Sequence, residues 1–413
     1  MTQIRASTPS PPLPTSNRPR IRDLGYSPGR FTPGPQNSIL DVPGVQVGQV
    51  TVHEGTDVHT GLTVILPRGV KDTRLKPCYA ATHDLNGMGE LTGCHALAEY
   101  GYINTVITPQ PIAITNTLSV GKVYDGLFLW QMEQARKNGE DDIESLRRFS
   151  IPVVGETYDG LLNDISASVI DKASVYAAIE AAQTQTEVLE GNYGGGTAMR
   201  CHGYKGGTGT SSRVVPGADR DYTLGVLVQA NHGQKPDLRI GNVPVGELLM
   251  AEEAEARGKA AKADKGLPVG GKAAEGSIIV TIITDAPLLP HQLRRLAQHA
   301  GMGITQVGGH SAGRNFSGEI FLALSTGTSP NQLATSSDGF AYLPPLETQP
   351  VETLKNETID SLFYAVSETT EEAILNAMCK AETLVGFKGR TTAALPVDRV
   401  QELLNKYGVG LRK

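Results

Sequence analysis

Cysteine is scarce in this chain of 413 residues, and no two cysteines stand close together. The four are Cys78, Cys94, Cys201 and Cys379. Without a Cys-x-x-Cys pair, the sequence argues against a zinc ribbon, a redox dithiol and the disulfide framework of a small secreted domain. Reduced cysteines are typical of the cytosol, so the sequence predicts a cytoplasmic protein.

An excess of basic charge and long apolar runs are lacking as well. The chain has 37 Lys and Arg residues against 43 Asp and Glu residues, which gives a net charge of −6. This balance offers nothing to neutralise a phosphate backbone and argues against nucleic-acid binding. No apolar run approaches the ~18 residues of a membrane span. The sequence therefore predicts neither a nucleic acid nor a membrane as partner.

Residues 1–20 contain no acidic residue and no apolar core, but they contain five prolines. A secretory signal needs the apolar core, and proline prevents the amphipathic helix of a mitochondrial presequence. We expect a disordered tail over 1–20. The rest, 21–413, is predicted to form a single catalytic domain.

Histidines are missing at the positions that a hydrolase triad and a zinc site would require. GHSAG at 309–313 matches a nucleophile elbow, but none of the nine histidines follows Ser311, as the hydrolase triad order requires. No histidines show a recognised zinc spacing, so we predict no metal. GLPVGGKA at 266–273 nearly matches a P-loop, yet Ala273 replaces the required hydroxyl. The predicted protein uses no cofactor.

Strand-like and helix-like segments mix along the whole chain, which favours a layered α/β or α+β fold. Val- and Ile-rich stretches predict strands, among them 38–66, 78–85, 103–109, 222–233 and 320–326. Apolar residues at helical spacing predict helices, among them 119–139, 169–183, 290–300 and 396–407. The glycine-rich stretch 191–213 is predicted to be almost entirely loop.

The clearest break in composition precedes Ser277. Residues 246–276 open as a helix and decay into an Ala/Lys/Gly stretch, after which Ser277 begins the strand SIIVTIITD. A loosely held segment suits a peptide bond that must be cut. Cleavage after Gly276 would give Ser277 a free α-amine of pKa ~7.7–8.0, which can serve as its base. Taken alone, the Gly-Ser pair is only suggestive, because most Gly-Ser pairs are ordinary turns.

Several blocks of sequence resemble the L-aminopeptidase/D-esterase family, also called the DmpA and β-peptidyl aminopeptidase family. The resemblance begins at Arg18 and covers nearly the whole chain in order. The blocks are NGMGELTG (86–93), ITNTLSVG (114–121), VVGETYDGLLND (153–164), VLVQANHG (226–233), GSIIVTIITDAPLLPHQLRRLA (276–297) and SGEIFLALSTG (317–327).

The resemblance implies a four-layer α/β/β/α sandwich, similar to N-terminal nucleophile hydrolases but connected differently. It implies a precursor that cuts itself between Gly276 and Ser277 into chains 1–276 and 277–413, and a homotetramer of cleaved protomers. The implied activity is release of N-terminal amino acids from small peptides, amino acid amides or esters through an acyl-enzyme on Ser277.

The resemblance also assigns roles to other residues. Ser317 and Glu319 match the family's pair that assists the nucleophile, and strand alternation places both on one face. Asn231 matches the asparagine that donates to the oxyanion. Tyr158 matches a tyrosine that donates a hydrogen bond near the reacting centre.

Glu156 resembles the carboxylate that binds the substrate's free amino group, and alternation would put it on the same face as Tyr158. A buried acid beside an ammonium selects an unblocked N-terminus. Asp159 and Asp164 are alternatives for this role.

Two other readings stay open at this point. An ornithine acetyltransferase-like enzyme shares the fold but cuts itself before a threonine, whereas this chain has a serine after Gly276. A non-processing binding protein could keep the fold, although the intact Ser277, Ser317 and Glu319 argue against it.

Overall fold

The computed structural model describes most of the chain. The described residues are 16–73, 76–103, 111–137, 151–256, 276–308, 314–330, 343, 345–346 and 348–409. Several sequence features lie wholly or largely outside them: the tail 1–20, the strand predicted at 103–109, the GHSAG motif at 309–313, the P-loop-like stretch at 266–273 and the low-complexity segment before Gly276.

Strands and helices alternate along the chain, as the sequence predicts. The strands are β1 Gln46–Glu54, β2 Val58–Leu66, β3 Cys78–Gly87, β4 Tyr102–Ile103, β5 Ile112–Asn116, β6 Val153–Thr157, β7 Arg200–Cys201, β8 Tyr204–Lys205, β9 Gly207–Val215, β10 Tyr222–Asn231, β11 Ser277–Thr284, β12 Gly318–Ser325, β13 Leu384–Gly386 and β14 Arg390–Thr392. The helices are α1 Gly69–Thr73, α2 Cys94–Tyr100, α3 Val120–Lys137, α4 Lys172–Ala181, α5 Val245–Ala256, α6 Pro290–Gly308, α7 Asp360–Lys380 and α8 Val397–Lys406. Within the described residues, no helix has both the length and the apolar composition to cross a bilayer.

Most strands belong to two main sheets. The first contains four strands in the order β1–β2–β5–β6, and the second contains six in the order β4–β3–β12–β11–β10–β9. The β5–β6 and β11–β12 pairs are parallel, and the other neighbours are antiparallel. Short ribbons β7–β8 and β13–β14 stand apart from both sheets.

The two main sheets pack face to face, with helices on both outer sides. Side chains such as Ile65 and Ile114 from the first sheet meet Ile279 and Leu322 from the second in one buried cluster. Helices α3 and α4 cover the outside of the first sheet. Helices α6 and α7 cover the outside of the second. The layers therefore run α/β/β/α.

Strand β11 lies in the middle of the second sheet, between β10 and β12. All eight of its residues are buried. Its run of β-branched residues is typical of a strand covered on both faces, where no polar alternation is needed. This position places Ser277 at the beginning of a fully buried central strand.

The loop predicted for 191–213 is wrong for its second half, because 207–215 form strand β9. The glycines there allow close packing. A β-carbon added to Gly209 would lie 2.0 Å from the carbonyl oxygen of Ala373 in α7. The hydroxyls are buried but bonded, and Thr210 donates to the carbonyl of Val226 at 2.8 Å. A strand of small polar residues therefore lacks the apolar pattern used to recognise strands.

Candidate active site

Ser277, the predicted nucleophile, is held from both neighbouring strands. Its side chain is buried, and the sheet register places it opposite Asn231, the last residue of β10. From the β12 side, the Gly318 N–H donates to Ser277 Oγ at 3.1 Å. The hydroxyl therefore has a fixed position beside the peptide bond that precedes it.

Gly276 lies directly against the backbone of β10. A β-carbon added to it would lie 1.6 Å from the carbonyl oxygen of Asn231 and 3.0 Å from Cα of His232. No side chain fits at the first of these distances unless the strand moves. The packing therefore supplies a steric reason for glycine at the predicted cleavage position.

Ser317 and Glu319 reach the same peptide bond from the other side. Strand β12 runs parallel to β11, with Glu319 paired to Ile278. Ser317 Oγ lies within hydrogen-bonding distance of both the Gly276 carbonyl oxygen and the Glu319 carboxylate. Because a hydroxyl carries one proton, Ser317 can donate to only one of these acceptors at a time. Both side chains are buried, so bulk water does not compete for these contacts.

Asn231 is fixed through both ends of its amide. The Arg200 N–H donates to Asn231 Oδ1 at 2.8 Å, and Asn231 Nδ2 donates to the Tyr158 carbonyl at 3.0 Å. An amide nitrogen has two protons, so one remains to serve another acceptor. Asn231 is buried, and its backbone carbonyl packs against Gly276.

Tyr158 lies directly after the end of the strand that contains Glu156. Strand β6 ends at Thr157, and Tyr158 is 52% exposed. Its hydroxyl lies over Gly160, where an added β-carbon would be 2.4 Å away. The bond that joins Tyr158 to the site is therefore the one from Asn231 to its backbone carbonyl.

Glu156 brings a buried carboxylate from the first sheet. Its Oε1 accepts from the Glu90 N–H at 3.1 Å, and its Oε2 accepts from the Thr117 hydroxyl. Burial raises the pKa of Glu156 above its ordinary value, although these hydrogen bonds oppose the shift. A β-carbon added to Gly89 would lie 3.5 Å from Glu156 Oε1 and 3.3 Å from Cα of Gly318. The carboxylate is thus close to the residue that holds the Ser277 hydroxyl.

The two alternative acids differ in their surroundings. Asp159 is buried, and its Oδ2 accepts from the Thr60 hydroxyl at 2.7 Å and from the Asn163 amide at 3.0 Å. Burial raises the pKa of Asp159 to about 6. Asp164 instead caps a short helical turn by accepting from the Ser166 N–H. Asp164 therefore has a local structural role.

The structure also groups three residues that the sequence analysis did not connect. Cys201, His202 and His232 lie together beside Asn231, with ligand atoms within 4.8 Å of one another. They come from two separate segments that meet only in the folded chain. Local motif spacing therefore gives no signal for them.

Comparison with known proteins gives a consistent result. Residues 37–392 match peptidase family S58. The β-peptidyl aminopeptidase BapA of Sphingosinicella microcystinivorans is 42% identical over 400 residues, which cover 94% of this chain and 92% of that protein. The L-aminopeptidase D-Ala-esterase/amidase of Ochrobactrum anthropi has a TM-score of 0.79 at 37% identity, covering 95% of this chain and 99% of that one. A Burkholderia sp. β-aminopeptidase has a TM-score of 0.77 at 41% identity, covering 95% and 100%.

These similarities confirm the predicted fold class and the predicted class of hydrolase. The Ochrobactrum protein is described as a prototype of the serine aminopeptidases and as a variant of the N-terminal nucleophile hydrolase fold. Both the family match and the identity to BapA extend over the segments that supply Ser277, Asn231 and Glu156. The chain belongs to peptidase family S58.

Proposed function

We propose that this protein cuts its own chain between Gly276 and Ser277 and then acts as a serine aminopeptidase with Ser277 as its N-terminal nucleophile. The observation that carries the proposal is the arrangement around the Gly276 peptide: Ser317 contacts its carbonyl oxygen, Glu319 contacts Ser317, and Asn231 is paired with Ser277. Membership in family S58 supports the same class of chemistry.

Self-cleavage begins in the uncut chain. Ser277 Oγ attacks the carbonyl carbon of Gly276, and Ser317 donates to the oxygen on which negative charge develops. The bond from that carbon to the Ser277 nitrogen breaks, the nitrogen gains a proton, and an ester to Oγ remains. Water hydrolyses the ester, which leaves a carboxylate on Gly276 and a free α-amine on Ser277.

Turnover uses the amine that cleavage creates. With a pKa of ~7.7–8.0, this amine can accept the proton of the Ser277 hydroxyl as Oγ attacks the substrate carbonyl. Asn231 donates its free amide proton to the oxyanion. The leaving amine departs with a proton, and water hydrolyses the acyl-enzyme. Ser317 and Glu319 hold the Ser277 amine and hydroxyl in place, so these steps use only protein groups and water.

Glu156 is proposed to bind the free amino group of the substrate. A buried carboxylate forms a strong charge-assisted hydrogen bond with an ammonium. Asp159 is the second choice for this role, because it is also buried and lies next to Tyr158. Tyr158 is proposed to donate to the bound substrate from the exposed side of the site.

The released residues are proposed to include β-amino acids as well as α-amino acids. The name of the BapA relative, a β-peptidyl aminopeptidase, supports this substrate class. We expect the purified protein to release p-nitroaniline from the β-alanine and L-alanine derivatives and to leave their N-acetylated forms intact. Equal hydrolysis of the acetylated compounds, or failure of fully cut protein to hydrolyse any of them, would contradict the proposal.

Replacing Glu156 with glutamine is expected to separate turnover from self-cleavage. We expect kcat/KM for substrates with a free amino group to fall ~10–100-fold, the cost of one charge-assisted hydrogen bond. Self-cleavage should persist, because the residue that donates the acyl group, Gly276, has no free amine. Glu90→Gln is the matched control, since that side chain is exposed and the two hydrogen bonds between Glu90 and Glu156 both use backbone groups of Glu90, its N–H and its carbonyl. Loss of self-cleavage in Glu156→Gln would argue against an amine-binding role.

Replacing Asn231 with alanine is expected to lower kcat by ~10²–10³-fold with little change in KM, because the amide acts in the transition state. The hydrolysis rate of each variant is divided by the fraction of its chains that have been cut, which intact mass measures. Asn192→Ala serves as the control, because the Asn192 amide exchanges hydrogen bonds with the Glu382 backbone at the surface. A rise in KM at constant kcat would show that Asn231 binds substrate instead.

The cut protein is further proposed to be a cytoplasmic homotetramer. All four cysteines are free thiols, as expected in a reducing compartment. The tetramer rests on the family resemblance and is supported by the exposed apolar side chains of Met302 on α6 and Tyr364 on α7. Light scattering should give the mass of four protomers of 43.8 kDa.

A further inference from the structure

Cys201, His202 and His232 form a compact group of metal-ligating side chains, which we name the Cys-His-His cluster. Cys201 ends β7, His202 follows it, and His232 follows the last residue of β10. All three are buried, and Cys201 Sγ lies 3.8 Å from His232 Nδ1. None of the three has a role in the proposed self-cleavage or turnover.

The histidine rings hold nitrogen atoms without protein partners. His202 Nε2 and His232 Nε2 are both buried, and neither has a hydrogen-bond partner within the described part of the chain. Buried polar atoms of folded proteins are nearly always bonded, so the unbonded Nε2 of His202 points to a ligand at this position. The two rings meet edge to face with their centres 5.3 Å apart.

His202 is already oriented as a metal ligand would be. Its Nδ1 lies 3.2 Å from the Gln234 carbonyl, and this contact leaves Nε2 as the free ligand atom. Metal-binding histidines commonly bond a backbone carbonyl through the other ring nitrogen in this way. The ring also packs against Gly308, where an added β-carbon would lie 2.4 Å from His202 Cε1. These contacts fix the orientation of the His202 ring.

The donor set selects the metal. One thiolate and two imidazoles suit zinc, whereas calcium and magnesium prefer oxygen ligands. Ideal tetrahedral zinc geometry, with Zn–S ≈ 2.3 Å and Zn–N ≈ 2.0–2.1 Å, places sulfur and nitrogen roughly 3.6 Å apart. The observed 3.8 Å between Cys201 Sγ and His232 Nδ1 is close to that separation, so His232 would bind the ion through Nδ1 and His202 through Nε2. We propose that the Cys-His-His cluster binds one Zn²⁺ per chain, although the histidine spacing in the sequence predicts no metal.

The zinc would link the two segments that hold Asn231. Arg200, which donates its N–H to Asn231 Oδ1, directly precedes Cys201, and Asn231 directly precedes His232. The two segments are also joined by a bond from the His202 N–H to the His232 carbonyl at 2.7 Å. Zinc therefore acts on the proposed oxyanion donor only by positioning it. This part of the inference rests on the proposed role of Asn231, whereas metal binding itself does not.

The first test measures metal in the full-length protein. Protein from zinc-supplemented cells, dialysed against metal-free buffer, is expected to contain one zinc per chain by elemental mass spectrometry. Cobalt exchanged into the site should give a thiolate-to-cobalt charge-transfer band, which requires the sulfur ligand. Substoichiometric zinc, or cobalt without that band, would overturn the proposal and leave only a hydrogen-bonded thiol and imidazole.

A matched pair of variants shows where the metal binds. Cys201→Ser is expected to weaken zinc binding by more than ~100-fold, because loss of an outer-shell partner alone can cost up to that much. His53→Gln is the control, because His53 Nδ1 and His59 Nδ1 form a second close histidine pair, 2.6 Å apart. Equal zinc in wild type and Cys201→Ser, or its loss in His53→Gln, would overturn the assignment. If Cys201→Ser fails to fold, the cobalt spectrum of the wild type still shows whether the Cys201 thiolate binds the metal.

The positioning effect has its own readout. Removal of zinc is expected to lower kcat about tenfold at unchanged KM, a smaller loss than that expected for removing the Asn231 donor itself. Zinc, but not magnesium, should restore the rate. A bound zinc whose removal leaves kcat unchanged would contradict the positioning role but not the site. An inactive protein with one zinc per chain would contradict the proposed function alone.

Discussion

Replacing Ser277 with alanine is expected to leave one uncut chain of 43.8 kDa and to lower hydrolysis by up to about 10⁶-fold. The alanine has no hydroxyl to attack Gly276. Because the chain is not cut, residue 277 also never gains the free α-amine that would serve as base. Self-cleavage and substrate hydrolysis are therefore both lost. Intact mass under denaturing conditions measures cleavage, and p-nitroanilide hydrolysis measures turnover.

Ser277→Cys is the matched control for this experiment. It keeps a nucleophile of similar size at the start of β11, so some cleavage into 1–276 and 277–413 should return. The smaller fragment of the wild type should begin Ser-Ile-Ile-Val. A Ser277→Ala chain that is still cut between 276 and 277 would show that another group attacks Gly276.

Replacing Gly276 with alanine is expected to slow self-cleavage by at least about 10²-fold, although every proposed reacting group remains. The added β-carbon would lie 1.6 Å from the Asn231 carbonyl oxygen, so the peptide must move by more than 1 Å. Misplacement on that scale is enough to cost about 10²-fold in rate. The time course of intact mass after synthesis in a cell-free system measures the effect.

Gly121→Ala provides the comparison, because a β-carbon there would meet no atom within 4 Å. We expect that variant to be cut at the wild-type rate. Circular dichroism of Gly276→Ala should match that of the Ser277→Ala precursor, which separates slow chemistry from misfolding. Equal cleavage rates for the two alanine variants would show that close packing at Gly276 does not limit the reaction.

The parts of the fold that the sequence predicts best have strong local patterns. Strand β11 is a continuous β-branched run, and helix α3 places Val123, Leu127 and Trp130 on buried positions at helical spacing. The candidate site could be predicted only because several sequence blocks resemble one family. The proposed roles of Ser317 and Glu319 have no distinctive local signal apart from strand alternation.

The parts that escaped prediction depend on contacts between distant segments. Strand β9 looks like a loop because its small residues serve packing against α7. Tyr158 directly follows the strand that contains Glu156, and its 52% exposure differs from the burial of Glu156, which alternation does not predict. The Cys-His-His cluster exists only because the segment after β7 lies beside the end of β10. All three features depend on contacts between segments that are distant in the sequence, and local sequence patterns do not reveal such contacts.

The order of strands in the second sheet decides how the cut protein can fold. Strands β3 and β4 at one side and β9 and β10 at the other come from 1–276, whereas the central β11 and β12 come from 277–413. Once cut, the two products remain interleaved and can separate only by breaking the sheet. Before the cut, the connection keeps both parts at a high effective concentration; afterwards, reassembly is a bimolecular reaction that weakens on dilution. The proposed cleavage therefore implies that folding is completed once, in the precursor, and that the lifetime of the cut protein is set by its rate of unfolding.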